Sequence, residues 1–265
     1  MKGKEGWDVK LKDGATFHAD KLLIATGGNL SMWDKLKNLG YNIGKPVPSL
    51  FTLNCKDNRI EGLAGVSVQK VKLKVPGSNI TSEGALLITH WGFSGPAILK
   101  LSAFGAVDFA DREYKFSLRI NWANGLNEEK VKQLLKKEKE DNPRNSAAGR
   151  SMFGIPGRLW ESILNYVGIN DSKRWNEVSD KIINILAVEI TNSEYSIDGK
   201  SVFKEEFVTC GGVELKQVNF KTMESRLHSN LFFAGEVLNI DGLTGGFNFQ
   251  SAWTTAYIAA KAMGK

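Results

Sequence analysis

Leu231-Phe232-Phe233-Ala234-Gly235-Glu236 leads, a few residues on, into Asp241-Gly242-Leu243-Thr244-Gly245-Gly246-Phe247-Asn248, and this stretch decides the fold. The short apolar run predicts a buried strand, the glycines a tight loop, and Asn248 to Met263 a helix. Strand, glycine loop and helix in that order point to an α/β sheet whose loops gather at the carboxyl ends of its strands. Glycine lets backbone approach a ligand closely, and a helix start offers unpaired N–H groups with partial positive charge. The same glycines also serve a plain strand–helix turn, so the loop alone leaves both readings open. On the helix, Phe249, Ala252, Trp253, Ala256, Tyr257 and Ala260 are expected to form one apolar packing face.

Two further glycine pairs favour the ligand reading. Leu22-Leu23-Ile24-Ala25, expected as a strand buried on both faces, ends in Thr26-Gly27-Gly28. Phe207-Val208-Thr209-Cys210 leads to Gly211-Gly212. Three glycine pairs at three strand ends fit a crevice at the carboxyl edge of a sheet. Glu236 is suited to accept hydrogen bonds from sugar or ribityl hydroxyls. An isoalloxazine ring over the helix start would gain hydrogen bonds at its C2 carbonyl. Charge developing near its N1 on reduction would gain about 0.3–2 kcal/mol from the helix dipole.

Outward from these ends the texture changes. A hairpin around Asp13-Gly14 opens the chain, and a helix is expected from Ser31 to Leu39, closed by Gly40. From Ser49 to Trp122 strands dominate: Val66 to Val71, Leu86 to Ile88 and Tyr114 to Ile120. Pro96, after Ser94-Gly95, is placed to start an apolar helix. Further helices are expected over Asn127–Glu140, Pro156–Val167 and Lys173–Ile190, the last with a stripe of Val178, Ile182, Ile185 and Leu186. The chain thus divides into 1–46, a β-rich 47–205 with a helical insertion at about 127–191, and 206–265.

Composition excludes several classes. Charged residues make up 24% and hydrophobic ones 42%, the balance of a globular protein, and no apolar run is long enough to span a membrane. No signal peptide is visible at Met1 to Asp13, and two distant cysteines, Cys55 and Cys210, fit a reducing cytoplasm. His18, His90 and His228 have no metal-ligand spacing, so no metal is expected. The net charge of +6 comes from lysines scattered along the chain, which reads as solvated surface and not as a nucleic-acid footprint. A hydrolase is not expected: Gly92-Phe93-Ser94-Gly95-Pro96 lacks the final glycine of a nucleophile elbow.

Ala25-Thr26-Gly27-Gly28, Thr89-His90-Trp91-Gly92-Phe93-Ser94-Gly95-Pro96, Thr209-Cys210-Gly211-Gly212-Val213, Thr222-Met223-Glu224-Ser225 and Phe233-Ala234-Gly235-Glu236-Val237-Leu238 together resemble one family. It is the bacterial flavoprotein family called BaiN-like or YhiN-like, NAD(P)/FAD-dependent oxidoreductases that include the aminoacetone oxidase group. The resemblance runs along nearly the whole chain, with the motifs in the family's order. It implies an α/β fold: a partial FAD/NAD(P)-binding, glutathione-reductase-like domain, interrupted by a β-barrel-like domain that carries a helical subdomain.

By that resemblance FAD is the cofactor and NAD(P)H a candidate electron donor. Hydride would pass between flavin and an organic substrate or nicotinamide, and the partner is a small molecule. Glu236 would hold the ribityl chain, and the backbone of Gly245, Gly246, Phe247 and Asn248 would face the flavin pyrimidine edge. Thr26 and Gly27 would lie near the nucleotide half, and Gly28, Gly212 and Gly235 are further cofactor-binding candidates. His90 is the candidate for proton transfer, and Trp91 and Trp253 are candidates to line the site. Two departures stand out: Asn239 occupies a position where the family has Asp, and no G-x-G-x-x-G precedes the first hairpin.

The missing fingerprint would lie upstream of Met1, so a truncated chain is expected. Losing two or three charge-assisted hydrogen bonds costs about 4–8 kcal/mol, or roughly three to six orders of magnitude in affinity. Little or no FAD is expected on this chain alone. The competing expectation is a non-catalytic module that binds nucleic acid or another partner and keeps vestigial flavin motifs.

Overall fold

The computed structural model describes residues 2–3, 6–200 and 208–265. The chain divides into two compact units, Met1–Ser49 with Val208–Lys265, and Leu50–Phe207. The boundary expected between residues 205 and 206, and Phe207 at the start of its strand, lie outside the described residues.

In the first unit, β1 (Lys2–Gly3), β2 (Gly6–Lys10) and β3 (Thr16–Ala19) make an antiparallel sheet. β4 (Leu22–Ile24) follows, then α1 (Leu30–Asn38), started by Asn29, whose side chain accepts the Met32 N–H at 2.9 Å. β5 (Ile43–Ser49) ends this half.

The second unit runs β6 (Leu53–Asn54), β7 (Ser67–Lys74), β8 (Thr81–Ile88), β9 (Gly92–Ser94), α2 (Pro96–Phe104), α3 (Ala106–Asp111), β10 (Lys115–Asn121), α4 (Glu128–Asp141), α5 (Gly157–Tyr166), α6 (Asp180–Asn192) and β11 (Ser193–Asp198). Its six strands form one sheet in the order β11-β10-β7-β8-β9-β6, antiparallel throughout. The sheet curls almost shut: Leu53 in β6 bridges Lys200, just past β11, and Asn54 N–H donates to Gly199 O at 3.0 Å. Near-closure of this kind hides edges that would otherwise invite pairing with other chains.

Alternating strands such as Lys115–Asn121 turn Phe116, Leu118 and Ile120 inward, where they meet Trp122, Trp160 and Trp175. Two of these indoles are satisfied: Trp122 Nε1 donates to Ser193 Oγ at 3.0 Å and Trp160 Nε1 to Ala147 O at 2.9 Å. Beside them Arg59, 6% exposed, donates to both Asp57 oxygens at 2.8 and 2.7 Å and to Glu189 Oε1 at 2.8 Å. Its guanidinium lies 3.9 Å from the Tyr195 ring centroid. One cation thus ties the segment after β6 to α6 and β11.

The chain then completes the first unit with β12 (Val208–Val213), β13 (Val218–Asn219), β14 (Glu224–Ser225), β15 (Leu231–Phe233) and α7 (Phe247–Met263). β12 pairs with β5, and a four-stranded sheet runs β13-β14-β15-β4. Its last pair is parallel, Leu231 to Leu22 and Phe233 to Ile24. The result is a mixed α/β chain.

Four expectations need correction. Gly211-Gly212 was expected after a strand end, but both lie inside β12, which pairs antiparallel with β5 in a two-stranded sheet, so only the other two glycine pairs follow strand ends. β4 was expected to be buried on both faces, but it is a sheet edge. Only Ile24 is buried, and Ala25 is exposed, because β15 is its sole strand neighbour among the described residues. The helix expected from Lys173 starts at Asp180, because Ser179 caps it by accepting the Ile182 N–H and Trp175–Glu177 form a separate 3-10 turn. Its buried stripe is accordingly Ile183, Leu186, Ala187 and Ile190, with Ile185 exposed. On α7 the expected packing face points the other way. Thr255 and Ala259 are buried with Ile258, Ala262 and Met263 beside them, while Phe249, Trp253 and Tyr257 are each 68% exposed.

Candidate functional site

After β15 the backbone makes one 3-10 turn over Gly235–Val237, and this turn presents Glu236. The turn is braced from two helices. Gly235 N–H donates to Thr255 Oγ1 of α7 at 2.9 Å, and Trp33 Nε1 of α1 donates to Val237 O at 3.0 Å. Glu236 Oε1 accepts the Thr209 N–H at 2.9 Å. A Cβ built on Gly27 would have Glu236 Oε2 as its nearest neighbour, at 3.9 Å. One carboxylate therefore sits where the ends of β4, β12 and β15 converge, and its Oε2 has no hydrogen-bond partner among the described residues.

α7 packs on this turn through Ala252 and Thr255, in its second and third turns. Gly246 precedes it with φ 84° and ψ 2°, a left-handed conformation, and supplies no side-chain cap. A Cβ there would meet nothing within 4 Å, and the Phe247, Asn248 and Phe249 N–H groups have no hydrogen-bond partner among the described residues. The loop is held by Asn248, whose Oδ1 accepts the Gly242 N–H at 2.6 Å and whose Nδ2 donates to Gly242 O at 3.0 Å. The Asn248 side chain thus serves the loop itself. Phe247 is 60% exposed, and Thr26 and Gly28 are exposed at the end of β4.

Two of the glycines have a packing reason. At Gly212, φ 116°, a Cβ would stand 2.6 Å from Val237 O, so the approach of β12 to the Glu236 turn requires glycine. At Gly28 a Cβ would come within 3.0 Å of Thr209 Oγ1. Asn239, the departure from the family's Asp, donates to Glu214 Oε1 at 3.3 Å. An aspartate there would set two carboxylates against each other. The Cys210 thiol is pushed up to about 11, first by burial and then by the Asp241 carboxylate, so it stays protonated at neutral pH.

His90 belongs to the second unit, in the turn between β8 and β9. It is exposed and lines a cavity of about 500 Å³ with Cys55, Asp57, Glu61 and Thr89. It has no hydrogen-bond partner among the described residues. The Cys55 thiol is pushed up to about 12, by burial and then by the Asp57 carboxylate. Trp91, in the same turn, is 68% exposed. Among the described residues no cluster of His, Cys, Asp and Glu can hold a metal, and no helix is long and apolar enough to cross a membrane.

The nearly closed six-stranded sheet with helices α4 to α6 has a counterpart among known sequences: the family described as "HI0933-like protein barrel and H2TH domain" matches residues 47–208, more than half of the chain. The chain belongs to the HI0933-like family. Two relatives, each 30% identical, are named ribosomal RNA dihydrouridine synthase. The Haemophilus influenzae protein aligns over 90% of this chain and 59% of its own length, and the Escherichia coli protein over 98% and 64%. A third, from Clostridium scindens, is 25% identical over 94% of this chain and 63% of its own length, and is named 3-dehydro-bile acid delta(4,6)-reductase. This HI0933-like chain thus spans about three fifths of the length of these relatives.

Sequence reasoning on this HI0933-like chain missed Thr209 and Thr255 as the partners that fix Glu236 and its turn. The Thr209-Cys210-Gly211-Gly212 motif carried the first in plain view. Thr255 had no signal, since a threonine inside an apolar helix reads as filler until its hydroxyl is seen to meet a backbone N–H.

Proposed function

We propose that this chain forms the flavin-ring end of a flavin-dependent oxidoreductase that reduces a carbon–carbon double bond conjugated to a carbonyl. The observation that carries the reading is Glu236, held by Thr209 through one oxygen with the other free of hydrogen bonds among the described residues, on a turn that packs against α7, whose start has no side-chain cap. The residues fit the ribityl and pyrimidine end of FAD: a carboxylate for hydroxyls, and helix N–H groups for a carbonyl and for negative charge near N1. Bound and reduced, flavin would supply the hydride for the carbon β to the carbonyl, with a proton from the protein or solvent completing the adjacent carbon. Glu236 orients the ribityl chain, and the Gly246 turn lets the ring approach without a side chain in the way. His90, with no partner of its own, is the candidate to supply the proton, and NAD(P)H the candidate to restore the reduced cofactor. A glutathione-reductase-like arrangement of the first unit, with the second unit inserted in it, accords with this assignment, as does a cytoplasmic setting for two unpaired cysteines.

The names of the relatives support the substrate class. A 3-dehydro-bile acid with unsaturation at positions 4 and 6 and a uracil base both present a double bond conjugated to a carbonyl. Of the two, we favour uracil in RNA, because both 30%-identical relatives carry the ribosomal RNA name. This departs from the small-molecule partner expected from sequence. The reading is tested by titrating FAD into this chain and into a form extended to the length of its relatives, followed by visible absorbance. Glu236→Gln keeps an acceptor for Thr209 but removes the charge. It should weaken flavin binding by about 1.5–3 kcal/mol, the value of a charge-assisted hydrogen bond. If neither form binds FAD at millimolar concentration, or if Glu236→Gln binds as well as the parent, the flavin reading fails.

A further inference from the structure

Three adjacent strands of the barrel wall, β10, β7 and β8, bring cations from distant parts of the sequence into one block. Arg119 stands opposite Lys74, and Lys74 opposite Thr81; two residues along, Asn121 stands opposite Lys72, and Lys72 opposite Glu83. Residues so placed share one face of the sheet, with strands about 4.8 Å apart and same-face neighbours about 6.8 Å apart along each strand. α2 adds Lys100 and Phe104, and together these residues line a cavity of about 650 Å³.

The acids nearby are few. Glu194 takes Arg119 Nε at 2.9 Å, and Glu83 lies in the cavity wall. Lys72, Lys74 and Lys100 make no ion pair or hydrogen bond among the described residues. Like charges set directly opposite on a sheet, as Arg119 and Lys74 are, destabilise it. An anionic ligand whose charge repeats along its length would offset that cost at Lys74 and find further cations at Lys72 and Lys100. Phe104, 57% exposed on the same rim, offers a flat apolar face. A basic groove with an exposed aromatic is the combination that holds single-stranded nucleic acid, since an unpaired base stacks on the ring while phosphates meet the cations.

We propose that this cavity is an RNA-binding site, in which Lys72, Lys74 and Lys100 hold phosphates of a single strand and Phe104 stacks one base. The proposal deepens the substrate assignment made above and rests on it for the choice of RNA. Its test needs no flavin, so its failure and that of the flavin reading are told apart. Fluorescence anisotropy of a labelled single-stranded oligoribonucleotide, titrated with the full chain over a range of salt, gives both affinity and salt slope.

Replacing Lys72, Lys74 and Lys100 together by Ala should weaken binding about tenfold or more and lower the log–log salt slope by about 2, from roughly 0.7 per phosphate contact. The same three positions changed to Arg should keep both. Phe104→Ala should lose about tenfold in affinity with the slope unchanged. Lys130→Ala with Lys137→Ala, on α4, should change neither. If the triple-alanine chain loses its fold by circular dichroism, Lys74→Glu alone carries the test and should lower the slope by about 0.7 or more. Wild-type affinity and slope in the charge variants would overturn the proposal. So would binding of phosphatidylserine vesicles that the triple variant abolishes while RNA binding is untouched.

Discussion

The two units display their large aromatic residues differently: the barrel exposes Trp91, Phe104 and Tyr166 on separate elements, while the other unit lines several along one helix. In the barrel unit Trp122 and Trp160 are fully buried and Trp175 is 2% exposed, and their neighbours close the sheet on itself. The unit built from the two ends of the chain buries Trp7 and Trp33, yet α7 displays Phe247, Phe249, Trp253 and Tyr257 at 60–68% exposure. Its four-stranded sheet also ends in an apolar strand, β4, with a bare side among the described residues. The barrel draws its stability from its own residues. The other unit spends its glycines and strand ends on an open edge where Glu236 waits with a spare oxygen.

The contrast can be broken most directly in the barrel core. Trp160→Ala removes a fully buried indole and strands Ala147 O, and should cost about 3–5 kcal/mol in urea unfolding. A loss below about 1 kcal/mol would mean that the barrel is not the stable half.

Arg59→Met should cost a similar amount, about 3–5 kcal/mol, by leaving Asp57 and Glu189 without their buried cation. Burial raises the Asp57 carboxyl, but the hydrogen bonds from Arg59 outweigh it and hold the group below its ordinary 3.8. A depressed carboxylate stabilises the fold above its unfolded value, and that contribution fades as pH falls from 3.8 through the lower folded value. Asp57→Asn should therefore flatten the acid limb of the stability profile in that range. An unchanged limb would show that Asp57 is not part of the acid response.

In the other unit, Gly212→Ala should cost about 2–3 kcal/mol, since its Cβ would strike Val237 O and its φ of 116° is hostile to any side chain. Because that clash pushes on the Glu236 turn, flavin affinity should fall with stability, and a melting curve beside a titration checks both. The smallest effect is expected at Trp253→Ser: within about 0.5 kcal/mol of the parent, because the ring is already in water. A large loss there would show that the stripe on α7 is covered in solution.

Much of this was legible in the sequence. The strand, glycine loop and helix at 231–263 appear as read, and so does the helix started by Pro96. The packing face expected on α7 was misplaced, because periodicity identifies a face without saying what the face meets. Ser179-Asp180 carried a helix-start signal that the apolar pattern beginning at Val178 obscured. Of the candidate site, the sequence singled out Glu236 and the glycines, and at Gly212 the close approach to Val237 O gives the residue type its reason. The lysine block was not. Lys72, Lys100 and Arg119 are scattered in the chain, and only the register of β10, β7 and β8 and the packing of α2 gather them.

The ladder between β5 and β12 has a consequence for how such a chain came to be. The chain leaves the first unit at Ser49 and re-enters it at Val208, and those two residues are direct partners on paired antiparallel strands. A short hairpin turn would join them equally well, and closing a long loop in place of a short one adds little entropic cost. The barrel is therefore portable: a gene can acquire, lose or exchange it at one hairpin tip and leave the host sheet's geometry intact.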